Sequence, residues 1–200
     1  MAAESRGQLT IALPEQLEEA QLHRCAELVF DAGRGYYDLL GVDRSLVEVG
    51  IAKQIARPGT ELERMFVGLV GVEVAGLHAC VSTGVLPAVM MEGTLTLLRG
   101  MEHGIRRDFL ERLRRARPAL PPLPDHSLYL ARLAVADDHQ GLGVADALMH
   151  DFFERRENET SHCLHVLTDN ARALGFFRRL GFERFGTEAA GFLSMVRAVT

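Results

Sequence analysis

The stretch from Leu128 to Phe152 constrains this chain most. Leu128-Tyr-Leu-Ala-Arg-Leu-Ala-Val135 is an apolar run that predicts a strand. Gln140-Gly141-Leu142-Gly143-Val144-Ala145 follows. From there Leu142, Ala145, Leu148, Met149 and Phe152 recur at three- and four-residue steps, which predicts an amphipathic helix. A strand that runs through a glycine loop into a helix N-terminus can hold phosphate. The first helical N–H groups have no intrahelical acceptor, and the helix dipole adds positive charge beside them. Gly141 and Gly143 carry no Cβ, so a ligand can approach the backbone and unusual φ values cost little. The segment is a candidate pyrophosphate cradle.

Spacing separates three such cradles. A P-loop needs Lys after its last glycine, and none follows here. A Rossmann turn needs G-x-G-x-x-G close to the strand end. Here Ala136 to Gln140 intervene, and Asp146 stands three residues after Gly143. The pattern Q/R-x-x-G-x-G/A is met by Gln140, Gly143 and Ala145. Preceded by Leu133-x-Val135, it resembles motif A of the GNAT family, the acetyl-CoA-dependent N-acetyltransferases. Downstream, Leu164-His-Val-Leu-Thr168 reads as another strand. Asn170, Ala173, Phe176, Phe177 and Gly181-Phe182 then resemble the second half of a GNAT core, N-x-x-A-x-x-F-Y-x-x-x-G-F. Phe66 to Leu77 reads as a hairpin similar to the family's second and third strands. The resemblance runs from about Gln8 to the C-terminus and is specific from Leu128 to Phe182.

That resemblance implies an α/β GNAT fold: a mixed, mostly antiparallel sheet flanked by helices, with the fourth and fifth strands splayed. It implies acetyl-CoA as co-substrate in the splay and an amine acceptor. Pantetheine would pair with backbone at Leu133, Ala134 and Val135. The diphosphate would sit at Gln140, Gly141, Leu142, Gly143, Val144 and Ala145, with Asn170, Ala173 and Phe177 nearby. Asn170 also suits a helix N-cap, and Phe177 also suits plain core packing. Many members carry Tyr at the place of Phe177, whose hydroxyl protonates the departing thiolate; a phenyl ring cannot.

Tyr129 is the candidate catalytic residue. Counting back by twos from Val135 puts Leu133, Ala131 and Tyr129 on one strand face, where some members carry a general base. A phenol is a poor base, so Tyr129 would orient a water or the amine; the plain alternative is a half-buried strand tyrosine. His165 on the next strand is a second candidate, able to relay a proton near neutrality. His139 reads as a solvated loop residue. Three rival functions stay open: a GNAT-fold acyl-CoA-binding or regulatory module without turnover, a toxin-type aminoacyl-tRNA acetyltransferase suggested by Leu130 to Val135, and a Rossmann-type nucleotide binder.

Two hundred residues with 48% hydrophobic content suffice for one domain. Residues 1–7 lack the apolar stretch of a signal peptide and read as a frayed terminus. No apolar run is long enough to predict a membrane span. Cys25, Cys80 and Cys163, odd in number and far apart, predict reduced thiols in a cytoplasmic protein. Metal-ligand spacings are absent, so no metal site is expected. A net charge of −5 opposes a nucleic-acid partner and is compatible with a cationic amine.

Further elements follow from periodicity: a strand over Gln8 to Ala12, a helix from Pro14 to Gly33, and another from Leu46 to Ala56. A hairpin of Met65 to Val70 with Val74 to Val81 comes next, and a final hairpin of Glu183 to Gly186 with Phe192 to Val199 closes the chain. Gly84 to Asp125 is a long helical insertion between the third and fourth strands. It carries a helix from Met101 to Arg117 and a proline spacer from Pro118 to Pro124. It reads as a lid or a homodimer contact. Its arginines spread around the helix axis and read as a solvated face.

Overall fold

In the computed structural model, the described residues are 8–34, 37, 41, 43–55, 57–116, 120–156 and 158–199. The expectations for residues 1–7, for Ala56 and for Arg117 to Ala119 lie outside them.

Among the described residues seven strands form one sheet: β1 (Leu9–Ala12), β2 (Met65–Val70), β3 (Glu73–Ser82), β4 (Ser127–Val135), β5 (Ser161–Leu167), β6 (Glu183–Ala189) and β7 (Phe192–Ala198). Their order is β1-β2-β3-β4-β5-β7-β6, and every neighbouring pair is antiparallel except β4 with β5. A Rossmann reading needs a parallel, doubly wound sheet, so this topology removes it. Helices α1 (Glu19–Ala32), α2 (Arg44–Ala52), α3 (Leu86–Arg99) and α4 (His103–Ala116) bury residues against one sheet face. Helices α5 (Val144–Glu154) and α6 (Ala171–Arg179) cover the other.

The strand alternation explains the two cores. Met65 and Val67 face α1 and α2, while Phe66 faces α5; Tyr129 and Cys163 face the first layer, while Leu128, Leu130, Leu164 and Val166 face the second. The helix predicted from Pro14 is interrupted. Pro14–Gln16 makes only a 3-10 turn, closed by Gln16 Oε1 on the Leu13 amide at 2.7 Å. Glu18 then restarts the chain as α1, its amide held by Gln21 Oε1 at 2.9 Å.

The expected helical insertion is there, and it holds two helices. Periodicity shows α4 but not α3, because Met90, Met91 and Leu95 leave α3 apolar on its exposed side as well. Leu86, Val89, Leu97, Leu98, Met101 and Phe109 from the insertion join the same core as α1 and α2. A Cβ on Gly50 would come within 2.5 Å of Leu97 Cδ2, and one on Gly93 within 2.9 Å of Gln54 Oε1, so these glycines set how closely α3 meets α2.

Strand β4 carries a bulge. Ala79 pairs with Arg132 but Cys80 pairs with Leu130, so Ala131 is the extra residue. Counting by twos fails across it. Tyr129 and Ala131 face α1, whereas Leu133 and Val135 face α5, which corrects the single face expected from the sequence.

A buried polar network ties α5 to β3. His78, fully buried, hydrogen-bonds Asp151 at 2.7 Å, and Arg155 holds the same carboxylate at 2.6 and 3.0 Å while lying over the Phe66 ring at 4.0 Å. Burial alone would raise the Asp151 carboxyl; hydrogen bonds from His78 and Arg155 outweigh it and hold it down at about 2. Burial and the nearby Arg197 push His162 down to about 4, between the Phe152 and Phe153 rings.

Both folded-state values lie below the unfolded ones, so the stability they support is present above the unfolded value and is lost on acidification. Stability should fall first between pH 6.5 and about 4 as the unfolded chain protonates His162, then again from 3.8 towards about 2 with Asp151. Urea unfolding at a series of pH values should show the first limb, and His162→Gln should flatten it; an unchanged slope would refute the assignment. Phe109→Ala should cost about 3–5 kcal/mol in the same assay, which a merely peripheral α4 would not show.

Candidate active site

The pairing of β4 with β5 stops early. Ser127 pairs with Ser161, Leu128 with His162 and Tyr129 with Cys163, and then the strands part. The Ser127 and Ser161 hydroxyls meet at 2.7 Å and rivet the closed end. Beyond Tyr129, β5 continues along β7, while the edge of β4 that holds Leu133, Ala134 and Val135 loses its partner on the β5 side. An edge of this kind leaves main-chain donors and acceptors for another extended group.

The glycine loop opens beside that edge. Gly141 and Gly143 adopt φ of 75° and 84°, and none of the described residues stands within 4 Å of where either Cβ would project. Gly143 is the N-cap of α5 and supplies no side-chain cap, so the first-turn amides up to Ala145 lack one. Leu142 is half exposed, and Val144 turns into the core with Leu148. Gln140 spans the loop: its Nε2 donates to Asp137 at 2.8 Å, and its Oε1 accepts from Arg172 of α6 at 2.9 Å. Arg179 reaches Asp146 of α5 at 3.2 Å, so two α6 cations lie alongside the cradle. His139 is not solvated as expected but buried, with Nδ1 on Asp138 at 3.0 Å.

Asn170 is the N-cap of α6, accepting the Ala173 amide at 3.0 Å. Ala173 packs on the apolar cluster of that layer. Phe177 is buried there, edge-on to Phe176 at 5.3 Å and to Phe182 at 5.6 Å.

A second constellation lies on the opposite face, at the mouth of the splay. The Tyr129 hydroxyl is 3.3 Å from His165 Nδ1, and His165 Nε2 is 2.8 Å from the Pro121 carbonyl oxygen. Ser194, paired across from His165 on β7, donates to the Pro122 carbonyl at 2.8 Å. Arg132 binds Glu61 at 2.5 Å and its own neighbour's carbonyl, Ala131, at 2.6 Å. Burial raises the Tyr129 phenol and lowers His165, which keeps both neutral around pH 7.

The sequence-predicted residues therefore fall in two groups. Gln140 to Ala145, Asn170 and Ala173 gather around the α5 and α6 N-termini, beside the β4 edge of Leu133 to Val135 and with Phe177 in the same layer, and Tyr129 stands apart with His165 on the α1 face. Glu61, Pro121, Pro122 and Ser194 carry no motif. The one available signal was Arg132, a charge inside an apolar strand that burial obliges to find a carboxylate.

Residues 114–184 match the model of the acetyltransferase (GNAT) domain. No curated protein matches the chain in sequence. An N-acetyltransferase from Staphylococcus aureus Mu50 superposes with a TM-score of 0.71 at 18% identity, covering 95% of this chain and all of that one. A crystal structure described as an acetyltransferase gives 0.63 at 18% identity over 96% of this chain and 100% of that one. A Bacillus subtilis acetyltransferase in complex with CoA gives 0.55 at 12% identity, with coverage of 96% and 100%. This chain has the GNAT fold, and its residues 114–184 match the acetyltransferase (GNAT) domain.

Proposed function

We propose that this protein transfers an acetyl group from acetyl-CoA to a primary amine. The observation that carries the reading is the open N-terminus of α5 set beside the unpaired edge of β4. The residues present fit the co-substrate. Two glycines with left-handed φ leave clear space over the loop and first-turn amides from Gly141 to Ala145, and that is what a diphosphate needs. Arg172, held by Gln140, adds positive charge there. The main chain of Leu133, Ala134 and Val135 is free on the β5 side to pair with an extended pantetheine arm. Acetyl-CoA supplies the activated acyl carbon when bound.

The chain's own contribution is positioning. Bringing an amine nitrogen and an acyl carbon together in one splay makes a bimolecular step effectively unimolecular, and main-chain donors at the β4 edge can stabilise developing negative charge. Phe177, inside the apolar cluster, offers no proton. Asn170, Ala173 and Phe177 support the cradle by fixing α6 against it. Three buried, free cysteines accord with a reducing, cytoplasmic setting. Among the described residues no helix is long and apolar enough to cross a membrane.

Calorimetry with acetyl-CoA tests the cradle. Gly143→Glu and Gly143→Ala share the strain of an L-residue at this φ, about 1–2 kcal/mol, but only the first adds negative charge. Gly143→Glu should bind at least about tenfold more weakly, a factor equivalent to about 1.4 kcal/mol. Equal affinities in the two folded variants would remove the site. Thiol release from acetyl-CoA with ethanolamine, spermidine and lysine amide as acceptors tests transfer. Tight binding without any amine-dependent release would leave a binding module in its place.

A further inference from the structure

We propose that Tyr129 is the proton-handling residue of this transfer and that His165, held by the Pro121 carbonyl of the insertion, positions it and exchanges its proton. The proposal rests on the acetyl-transfer reading above. It starts from where the two rings stand. Tyr129 and Cys163 are the last paired residues of β4 and β5. His165 is the next residue of β5 on that face. Its ring meets Tyr129 edge-on with centroids 5.5 Å apart, so the side chains bridge the strands at the first row where the main chains no longer do.

The hydrogen bonds fix the direction of proton flow. A carbonyl oxygen only accepts, so His165 Nε2 must carry its hydrogen towards Pro121, 2.8 Å away. The neutral ring then has its lone pair on Nδ1, and the Tyr129 hydroxyl, 3.3 Å away, donates to it. Burial lowers His165, so the ring is neutral and able to accept a proton at pH 7. Burial raises Tyr129, so the phenol is no base in its own right. The groups facing this pair are accounted for. Ser194 of β7 and Pro122 bind one another, Arg132 and Glu61 form an ion pair, Tyr37 bonds Arg132, and Cys163 is a buried thiol raised by desolvation.

The steps balance with these two side chains alone. As the amine nitrogen bonds to the acyl carbon, its N–H breaks and a new O–H forms on Tyr129, while the old Tyr129 O–H breaks and an Nδ1–H forms on His165. The imidazolium then returns that proton through Tyr129 to the departing sulfur. One proton has moved from nitrogen to sulfur and both residues are as they began. This supplies the proton that Phe177 cannot. The proline strap belongs to the device. Pro121 and Pro122 turn their main-chain carbonyls towards His165 and Ser194, and an acceptor opposite Nε2 is what places the lone pair on Nδ1.

The test uses the full chain, acetyl-CoA and the amine panel. Nitrogen NMR of the histidine rings should show His165 as the Nε2–H form. Wild-type kcat/KM should fall on the acid side with an apparent pKa below 6.5. His165→Gln and Tyr129→Phe should each lower kcat by about 10²–10⁴-fold, leave the acetyl-CoA Kd within about twofold, and abolish that acid limb. The double variant should be no slower than the slower single variant, as for residues that act as one unit. A merely structural His165 would leave the limb in place. An Nδ1–H ring, or a kcat within about threefold of wild type in either folded variant, overturns the proposal while acetyl-CoA binding and transfer stand. Absence of acetyl-CoA binding in the wild type would instead bring down the transfer reading itself.

Discussion

The parting of β4 from β5 after Tyr129 and Cys163 is the constraint on which the site depends. A parallel pair of only three rungs leaves a wedge whose walls are a bare strand edge and a helix N-terminus. Holding such a wedge open costs main-chain hydrogen bonds that a continuous ladder would satisfy. Two features hold it. The buried Ser127–Ser161 contact closes one end, and β5 is drawn away by seven register pairs with β7. Each wall then meets its own layer: β4 is backed by α1 on one face and α5 on the other, and β5 lies over the α6 cluster.

Residues in the second layer have consequences for the first. Asp151 and Arg155 lie on and just after α5, and their network with His78 anchors that helix to β3, so the glycine loop at its start has a fixed base. Asn170 does the same for α6, and Gln140 with Arg172 joins the two helix starts. The loop can be open because what lies behind it is packed.

Much of this was legible in the residues. Gly141 and Gly143 signalled a left-handed turn into a helix, and the spacing to Asn170 and Phe182 signalled the second half of the core. The hairpin of β2 and β3 lay in alternation that a pleated strand requires. The bulge at Ala131 was not legible, because an extra residue in a strand leaves no mark in composition yet inverts which side chains share a face. Helix α3 was hidden by apolar residues on its exposed side. Pro14 promised a helix that Gln16 closes as a single turn. Residues Pro121 and Pro122 read as a spacer because what they present is a pair of carbonyls, a group that nearly every residue type owns.

That last feature changes what can vary in this protein. A side-chain ligand can be lost by one substitution, but a main-chain carbonyl survives any replacement at its position. The proline strap therefore tolerates drift in identity and not in length. One residue inserted or deleted between α4 and β4 would slide the strap by one register and hand His165 and Ser194 different main-chain groups. In this stretch the heritable quantity is a count of residues, held between two anchored ends, and the letters that fill it are secondary.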